Sequence, residues 1–422
     1  MSTNPIFVII GAGLTGAKAA QTLREEGFAG RIVLIGAEPE RPYERPPLSK
    51  GYLTGAAHQA SLYVHEAAWY AEHTVELRLS HRVTGLDRAA HEVELDGGER
   101  LVYSKVLLAT GALPRRLPVP GADLDGVYHL RALQDADRLR EAIHDGGRIV
   151  VVGAGWIGLE TAAAARGYGC EVTIIEPQTV PLHAALGPDM GAFFADVHRR
   201  HGVDLRLGRG VTELRGPGRV RVVVTDDGEE IPTDAVIVGV GARPCTELAE
   251  QAGLAVDNGI LVDENLRTTD PDVFAAGDVA NAFHPRYGTR IRVEHWANAL
   301  HGGPAAARSM LGHDVVDDRI PYFFTDQYEI GMEYAGWFPV GGYDTIVTRG
   351  ARDAAAFHVF WLADDRVVAG MHINQWDDGI APIQELIRAG RPMDPRRLAD
   401  PSVPLADAAR PASPSASLAD SS

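Results

Sequence analysis

The stretch "IFVIIGAGLTGAKAAQTLREEGFAGRIVLIGAE", residues 6–38, runs from an apolar strand through a glycine-rich turn into an alanine-rich helix. A short loop, a second apolar strand and a carboxylate, Glu38, complete it. This is the pattern of a βαβ unit. Its turn is Gly11-Ala-Gly13-Leu-Thr15-Gly16. Glycines in such a turn allow a tight bend, close approach of a pyrophosphate to the backbone, and packing of helix on strand. The helix start then offers N–H groups and the positive dipole end to phosphate. A G-x-G-x-x-G alone is a weak signal. Here it follows a strand, opens a helix and precedes a carboxylate placed to accept from two ribose hydroxyls, so it predicts a dinucleotide site.

The same pattern recurs in "RIVVVGAGWIGLETAAAARGYGCEVTIIEP", residues 148–177, with Gly153, Gly155, Gly158 and a closing Glu176. Glu176 also bears on ligand choice. A carboxylate repels the 2′-phosphate of NADPH, which an arginine or lysine would attract. From Pro177 to Ala185 there is neither, and His183 is the one potential cation, so NADH is favoured. Two dinucleotide sites in one chain predict a bound flavin and a nicotinamide.

Composition sets outer bounds. A chain of 422 residues is too long for one core and predicts two or three domains. A net charge of −17 argues against a general nucleic-acid or membrane-surface binder, while allowing a local basic patch. The two cysteines, Cys170 and Cys245, form no C-x-x-C, and the 16 histidines form no H-x-H or H-E-x-x-H, so no metal is expected. The start "MSTNPIFVIIGAG" has no basic region before its apolar run, so no signal peptide is expected, and no apolar run approaches a membrane span. A cytoplasmic location fits.

Between and after the two units, "HEVEL", "KVLLATG" and the stretch 203–240 read as strands, and "QDADRLREAIHDGG" as a helix ended by glycine. Beyond about residue 320 aromatics become dense ("PYFFTDQYEIGMEYAGWF"), followed by alternating strands and the helix "IAPIQELIRAG". The expected fold class is α/β: two Rossmann-like dinucleotide-binding domains plus a C-terminal α+β domain. The expected limits are 1–112 and 241–320 for a discontinuous FAD-binding domain, 113–240 for an NAD-binding domain, and 321–402 for the C-terminal domain. Residues 403–422, rich in Pro, Ser and Ala, are expected to be a disordered tail.

Further motifs carry a resemblance. "LLATGALPR" (107–115), "VIVGVGARP" (236–244) and "FAAGDVA" (274–280) resemble the glutathione-reductase-like FAD/NAD(P) fold. Disulfide reductases of that fold keep a cysteine pair early in the chain, where this one has "ERPPLSKGYL". "RPYERPPLSKGYL", "HLRALQDA" (129–136), "GLE" (158–160), "RVEHWANA" (292–299) and "FFTDQYEIGMEYAG" (323–336) together resemble the NADH-dependent ferredoxin reductases of bacterial oxygenase systems. The resemblance runs from about residue 5 to about 405.

That resemblance implies FAD contacts at Gly11, Gly13, Thr15, Gly16, Ala37, Glu38, Arg45, Lys50, Val83, Ala109, Thr110, Gly111, Arg131, Gly277, Asp278, Glu294, His295 and Trp296. It implies NAD contacts at Gly153, Gly155, Ile157, Gly158, Glu160, Glu176 and Gly241. It places Lys50 beside the flavin N5, paired with Glu160. Family members often have Asp where this chain has Ala37, leaving Glu38 to make that contact. Two other departures stand out: Tyr322-Phe323-Phe324 lacks flanking tryptophans, and "LHGGPAAAR" (300–308) replaces a more usual Gln-Gly helix start. The implied reaction passes hydride from NADH to FAD and electrons singly to a [2Fe–2S] ferredoxin. That ferredoxin would feed a cytochrome P450 or other oxygenase. Arg286, Arg290 and Arg292 are a candidate docking patch on an otherwise acidic chain. Rival readings are an NADH oxidase or rubredoxin reductase of the same fold, or a signalling flavoprotein like apoptosis-inducing factor. Monomer and homodimer are both open.

Overall fold

The computed structural model describes residues 4–410. They form two compact units that divide between Arg319 and Ile320.

In the first unit, Ile6–Ile10 is the middle strand of a five-stranded parallel sheet ordered Val75–Arg78, Arg31–Ile35, Ile6–Ile10, Lys105–Leu108, Val273–Ala275. Val8, Ile9, Val33, Leu34, Val106 and Leu107 have no exposed surface, as expected for strands covered on both faces. A second parallel sheet is ordered Asp204–Leu207, Glu171–Glu176, Arg148–Val152, Ala235–Val238, Val127–Tyr128. The duplication seen in the sequence extends to topology. In each parallel sheet a three-stranded antiparallel sheet precedes the strand that pairs on the other side of the first βαβ strand: Val83–Asp87, Glu92–Leu95 and Arg100–Val102 come before Lys105–Leu108 in the first, and Val211–Arg215, Val222–Thr225 and Glu230–Pro232 before Ala235–Val238 in the second. The chain crosses between the two nucleotide folds through Ala112–Pro114 and Ala242–Pro244, which pair antiparallel.

The helix Trp296–Met310 packs on the first helix, Leu14–Glu25. A Cβ at Gly303 would lie 2.2 Å from the carbonyl oxygen of Thr15, so only glycine permits this approach. Residues 300–308 lie inside this helix, not at its start as the sequence suggests.

The second unit is α+β. Its antiparallel sheet is ordered Tyr322–Gln327, Ile330–Gly336, Arg366–Ile373, Ala356–Ala363, Thr345–Ala351. The helix Ala381–Ala389 covers it with Ile383 and Ile387. Residues 403–410 differ from the expected tail. They hold a 3₁₀ turn at Leu405–Asp407, Ala409 bridges Met393, and Ala408 is fully buried in this unit's core. Arg349 anchors the approach, donating to the carbonyls of Leu398, Asp400 and Val403. The rest of the expected tail, 411–422, lies outside the described residues. Among the described residues, no helix is long and apolar enough to cross a membrane.

Candidate functional site

In the first parallel sheet, connections leave the adjacent strands Ile6–Ile10 and Lys105–Leu108 in opposite directions. Ligands of open α/β sheets bind in the crevice at such a switch point, at the carboxyl ends of the strands. Gly11 sits there with φ +119°, and a Cβ on it would fall 2.1 Å from the carbonyl oxygen of Ala109. A Cβ on Gly16 would fall 2.1 Å from the carbonyl of Gly11. The helix that follows is capped by Gly13, with no side-chain cap and no acid in its first turn, so its positive end faces the crevice without a competing carboxylate. Thr15 is buried, and the Gly277-Asp278 turn rests against its hydroxyl.

Around this cradle the polar side chains form one network. Arg45 pairs with Glu38 at 2.5 Å, and the Tyr43 hydroxyl donates to the other Glu38 oxygen at 2.5 Å. Arg45 also donates to the carbonyl of Arg131, whose guanidinium pairs with Asp278 at 3.0 Å. Burial alone would raise the Glu38 carboxyl, but Arg45 and Tyr43 outweigh it and hold the group below the usual carboxylate range. Trp296 donates its indole N–H to Glu44 at 3.0 Å. His295, beside it, is pushed by burial to a pKa of about 4. Arg292 donates to the carbonyl of Asp278 and pairs with Glu294. Ala109, Thr110 and Gly111 continue from the fourth strand; Thr110 donates to the carbonyl of Cys245, and Arg131 lies beside Gly111. Ala37 is exposed at the end of the second strand, and Val83 packs against the core from the antiparallel sheet. A backbone cradle with no room for a Cβ, an uncapped helix start and a strand-end carboxylate fit a dinucleotide such as FAD.

The second copy repeats the geometry. A Cβ on Gly153 would lie 2.5 Å from the carbonyl of Gly239, and one on Gly158 would lie 2.0 Å from that of Gly153. Gly155 caps the helix Trp156–Gly167, again with no side-chain cap, and Ile157 is exposed on its first turn. Glu176 turns back to the glycine loop, accepting from the N–H of Ala154 at 2.7 Å and of Gln178 at 2.9 Å. Gly241 lies at the crossing, its carbonyl accepting from Arg115.

The proline loop joins the two copies. Pro46–Ser49 forms a 3₁₀ turn with proline at its start, where a missing N–H costs nothing. Leu48 and Ser49 are buried, so the turn cannot slide. Its next residue, Lys50, places Nζ 2.7 Å from Glu160 Oε1, and the Ser49 hydroxyl donates to Glu160 Oε2 at 2.5 Å. The Glu160 side chain is 3% exposed and that of Lys50 14%. Burying either charge alone would be costly, and the contact offsets part of that cost for both.

Neither cysteine lies in this loop. Cys170 is fully buried and Cys245 partly so, and both are free thiols. The three docking arginines are not one outward patch. Arg292 is committed to Asp278 and Glu294; Arg290, though exposed, is tied by donation to the carbonyls of Val262 and Asn281; Arg286 is exposed. Sequence reasoning missed Tyr43, the hub that also accepts from the N–H of Leu133.

The pattern of two nucleotide cradles is matched by a family model, pyridine nucleotide-disulphide oxidoreductase, over residues 6–303. The chain belongs to this family. A second model, reductase C-terminal, matches residues 322–409. Rhodocoxin reductase of Rhodococcus erythropolis is 40% identical over 395 residues, 93% of this chain and 92% of that protein. The ferredoxin–NAD(+) reductase component of an anthranilate 1,2-dioxygenase system of Burkholderia cepacia is 40% identical over 409 residues, 96% of this chain and 99% of that protein. The crystal structure of the covalent putidaredoxin reductase–putidaredoxin complex superposes with a TM-score of 0.92 at 37% identity, covering 96% of this chain and 98% of that one.

Proposed function

We propose that this chain is an NADH:ferredoxin oxidoreductase, in which NADH reduces bound FAD and a [2Fe–2S] ferredoxin carries the electrons to an oxygenase. The observation that carries this reading is the Lys50–Glu160 pair in a loop without cysteine. A family member lacking a thiol there has no dithiol to reduce, so its electrons go to an external acceptor. The names of the relatives, a rhodocoxin reductase and a ferredoxin–NAD(+) reductase component, support a ferredoxin as that acceptor.

When bound, FAD supplies hydride acceptance and one-electron release. The protein supplies binding and electrostatics. Residues 1–112 and 241–320 hold FAD, with Glu38 on the ribose, the Gly11–Gly16 turn on the pyrophosphate, and Asp278 with Arg131 facing the ribityl chain. Residues 113–240 hold NADH, with Gly153–Gly158 on its pyrophosphate and Glu176 on its adenine ribose. Lys50 sets a positive charge by the flavin, and Glu160 fixes that charge in position from the NADH side. The 321–402 domain completes the fold, and the cytoplasm is the working compartment.

The test is NADH-driven cytochrome c reduction with and without a set of [2Fe–2S] ferredoxins. The expected result is a rate that depends on one of them. NADH oxidation with oxygen as acceptor and no ferredoxin dependence would instead identify an oxidase. Slow turnover with a dimer shift on NADH addition would identify a signalling flavoprotein.

A further inference from the structure

The loop after Glu176 contains no arginine or lysine, but the fold brings one from elsewhere. The edge strand Asp204–Leu207 pairs with Glu171–Glu176, opposing Leu207 to Glu176. Two residues later, the N–H of Arg209 donates to the carbonyl of Glu176 at 3.1 Å, and that of Gly208 to the carbonyl of Gln178 at 2.9 Å. Arg209 thus starts beside the carboxylate that marks the adenine ribose, within reach of a side chain of its length.

Its guanidinium is directed elsewhere. Arg209 Nε pairs with Asp227 Oδ2 at 2.7 Å. Asp227 is itself fixed, since its Oδ1 accepts from the Thr225 hydroxyl at 2.6 Å. The neighbouring arginine is restrained in the same way: Arg206 pairs with Asp204 at 3.0 Å and Glu229 at 3.1 Å. Arg209 and Asp227 are both roughly half exposed, so a solvated ligand can reach the pair.

We propose that Arg209 and Asp227 together set the nicotinamide nucleotide preference: Asp227 holds away from the adenine ribose a nearby guanidinium suited to a 2′-phosphate. This inference rests on the NADH reading of the second cradle. Arginine forks match phosphate oxygens, so a released Arg209 recognises a 2′-phosphorylated adenosine. Asp227→Asn is the discriminating variant. It keeps the oxygen that accepts from Thr225 and replaces the one that faces Arg209, so the turn is retained while the tether is lost.

The experiment is calorimetric binding of 2′,5′-ADP and of ADP to the FAD-loaded protein, with NADH- and NADPH-dependent ferricyanide reduction alongside. An exposed ion pair changes an equilibrium by a factor of up to about five. Asp227→Asn is expected to tighten 2′,5′-ADP about fivefold and raise kcat/KM for NADPH by a similar factor. ADP affinity and NADH kinetics stay unchanged. Adding Arg209→Gln is expected to abolish the gain. An unchanged 2′,5′-ADP affinity in Asp227→Asn, or a gain that survives Arg209→Gln, overturns the proposal. Failure of the broader reading is separate: unmutated protein that does not oxidise NADH refutes it, whatever 2′,5′-ADP does.

Discussion

Lys50 and Glu160, 110 positions apart, meet at 2.7 Å and tie the proline loop of the first nucleotide fold to the glycine-turn helix of the second. The pair is almost wholly buried, so it acts on stability as well as on charge. Glu160→Ala leaves Lys50 without this partner in a dry site, a change that costs about 3–5 kcal/mol in buried pairs. A double variant, Lys50→Met with Glu160→Leu, recovers most of that loss. Thermal melts of the two single variants and the double variant measure the coupling directly.

The glycine cradle makes a sharper prediction about FAD. A Cβ on Gly16 would sit 2.1 Å from the carbonyl of Gly11, and larger side chains fare worse. Gly16→Val therefore disrupts the turn proposed to hold the pyrophosphate. The purified variant is expected to lose its flavin, read as loss of absorbance near the flavin band relative to protein, while Gly27→Val, at a glycine with nothing within 4 Å of a Cβ, retains it. Gly27 has φ +79°, so that control loses some stability without losing FAD.

Glu38 gives a pH dependence whose sign follows from its shift. Its folded-state pKa lies below the unfolded value, so it contributes stability above the usual carboxylate range, lost as pH falls through the lowered folded value. Arg45→Met removes the cation that lowers it. The difference in Tm between the unmutated protein and Arg45→Met is expected to be largest near neutral pH and to shrink as pH falls from about 5 to about 3. A difference that grows on acidification would contradict the network.

The inward arginines separate folding from docking. Arg292→Leu removes a donor from the carbonyl of Asp278 and leaves Glu294 unmatched, so FAD retention falls at every salt concentration. Arg286→Glu, on the exposed side, leaves FAD content intact and raises the KM for ferredoxin more at low salt than at high salt. FAD titration and ferredoxin kinetics over a range of ionic strength check both.

Much of the fold was legible because its signals are local. An apolar run, a glycine turn and a strand-end carboxylate within about thirty residues specify a βαβ unit, and the chain writes it twice. What was not legible depends on distant backbone. Arg292 reads as surface charge in "HPRYGTRIR", yet the carbonyl of Asp278 draws it inward, and Arg290, though exposed, is tied to the carbonyls of Val262 and Asn281. Tyr43 reads as one aromatic before two prolines, and only the fold gathers Glu38, Arg45 and the N–H of Leu133 around its hydroxyl. The segment 403–410 was hidden by composition, since its one fully buried residue, Ala408, carries almost no hydrophobic signal. Arg209 was hidden in the same way, 33 positions from the carboxylate it adjoins.

The central claim is that Lys50 serves electron entry from NADH rather than merely closing a loop. Stopped-flow reduction of the flavin by NADH in Lys50→Met tests it. The account predicts FAD content equal to the unmutated protein and a limiting reduction rate lower by at least about tenfold, in line with losing a single positioned charge. A variant that folds, binds FAD and is reduced at the unmutated rate would contradict it.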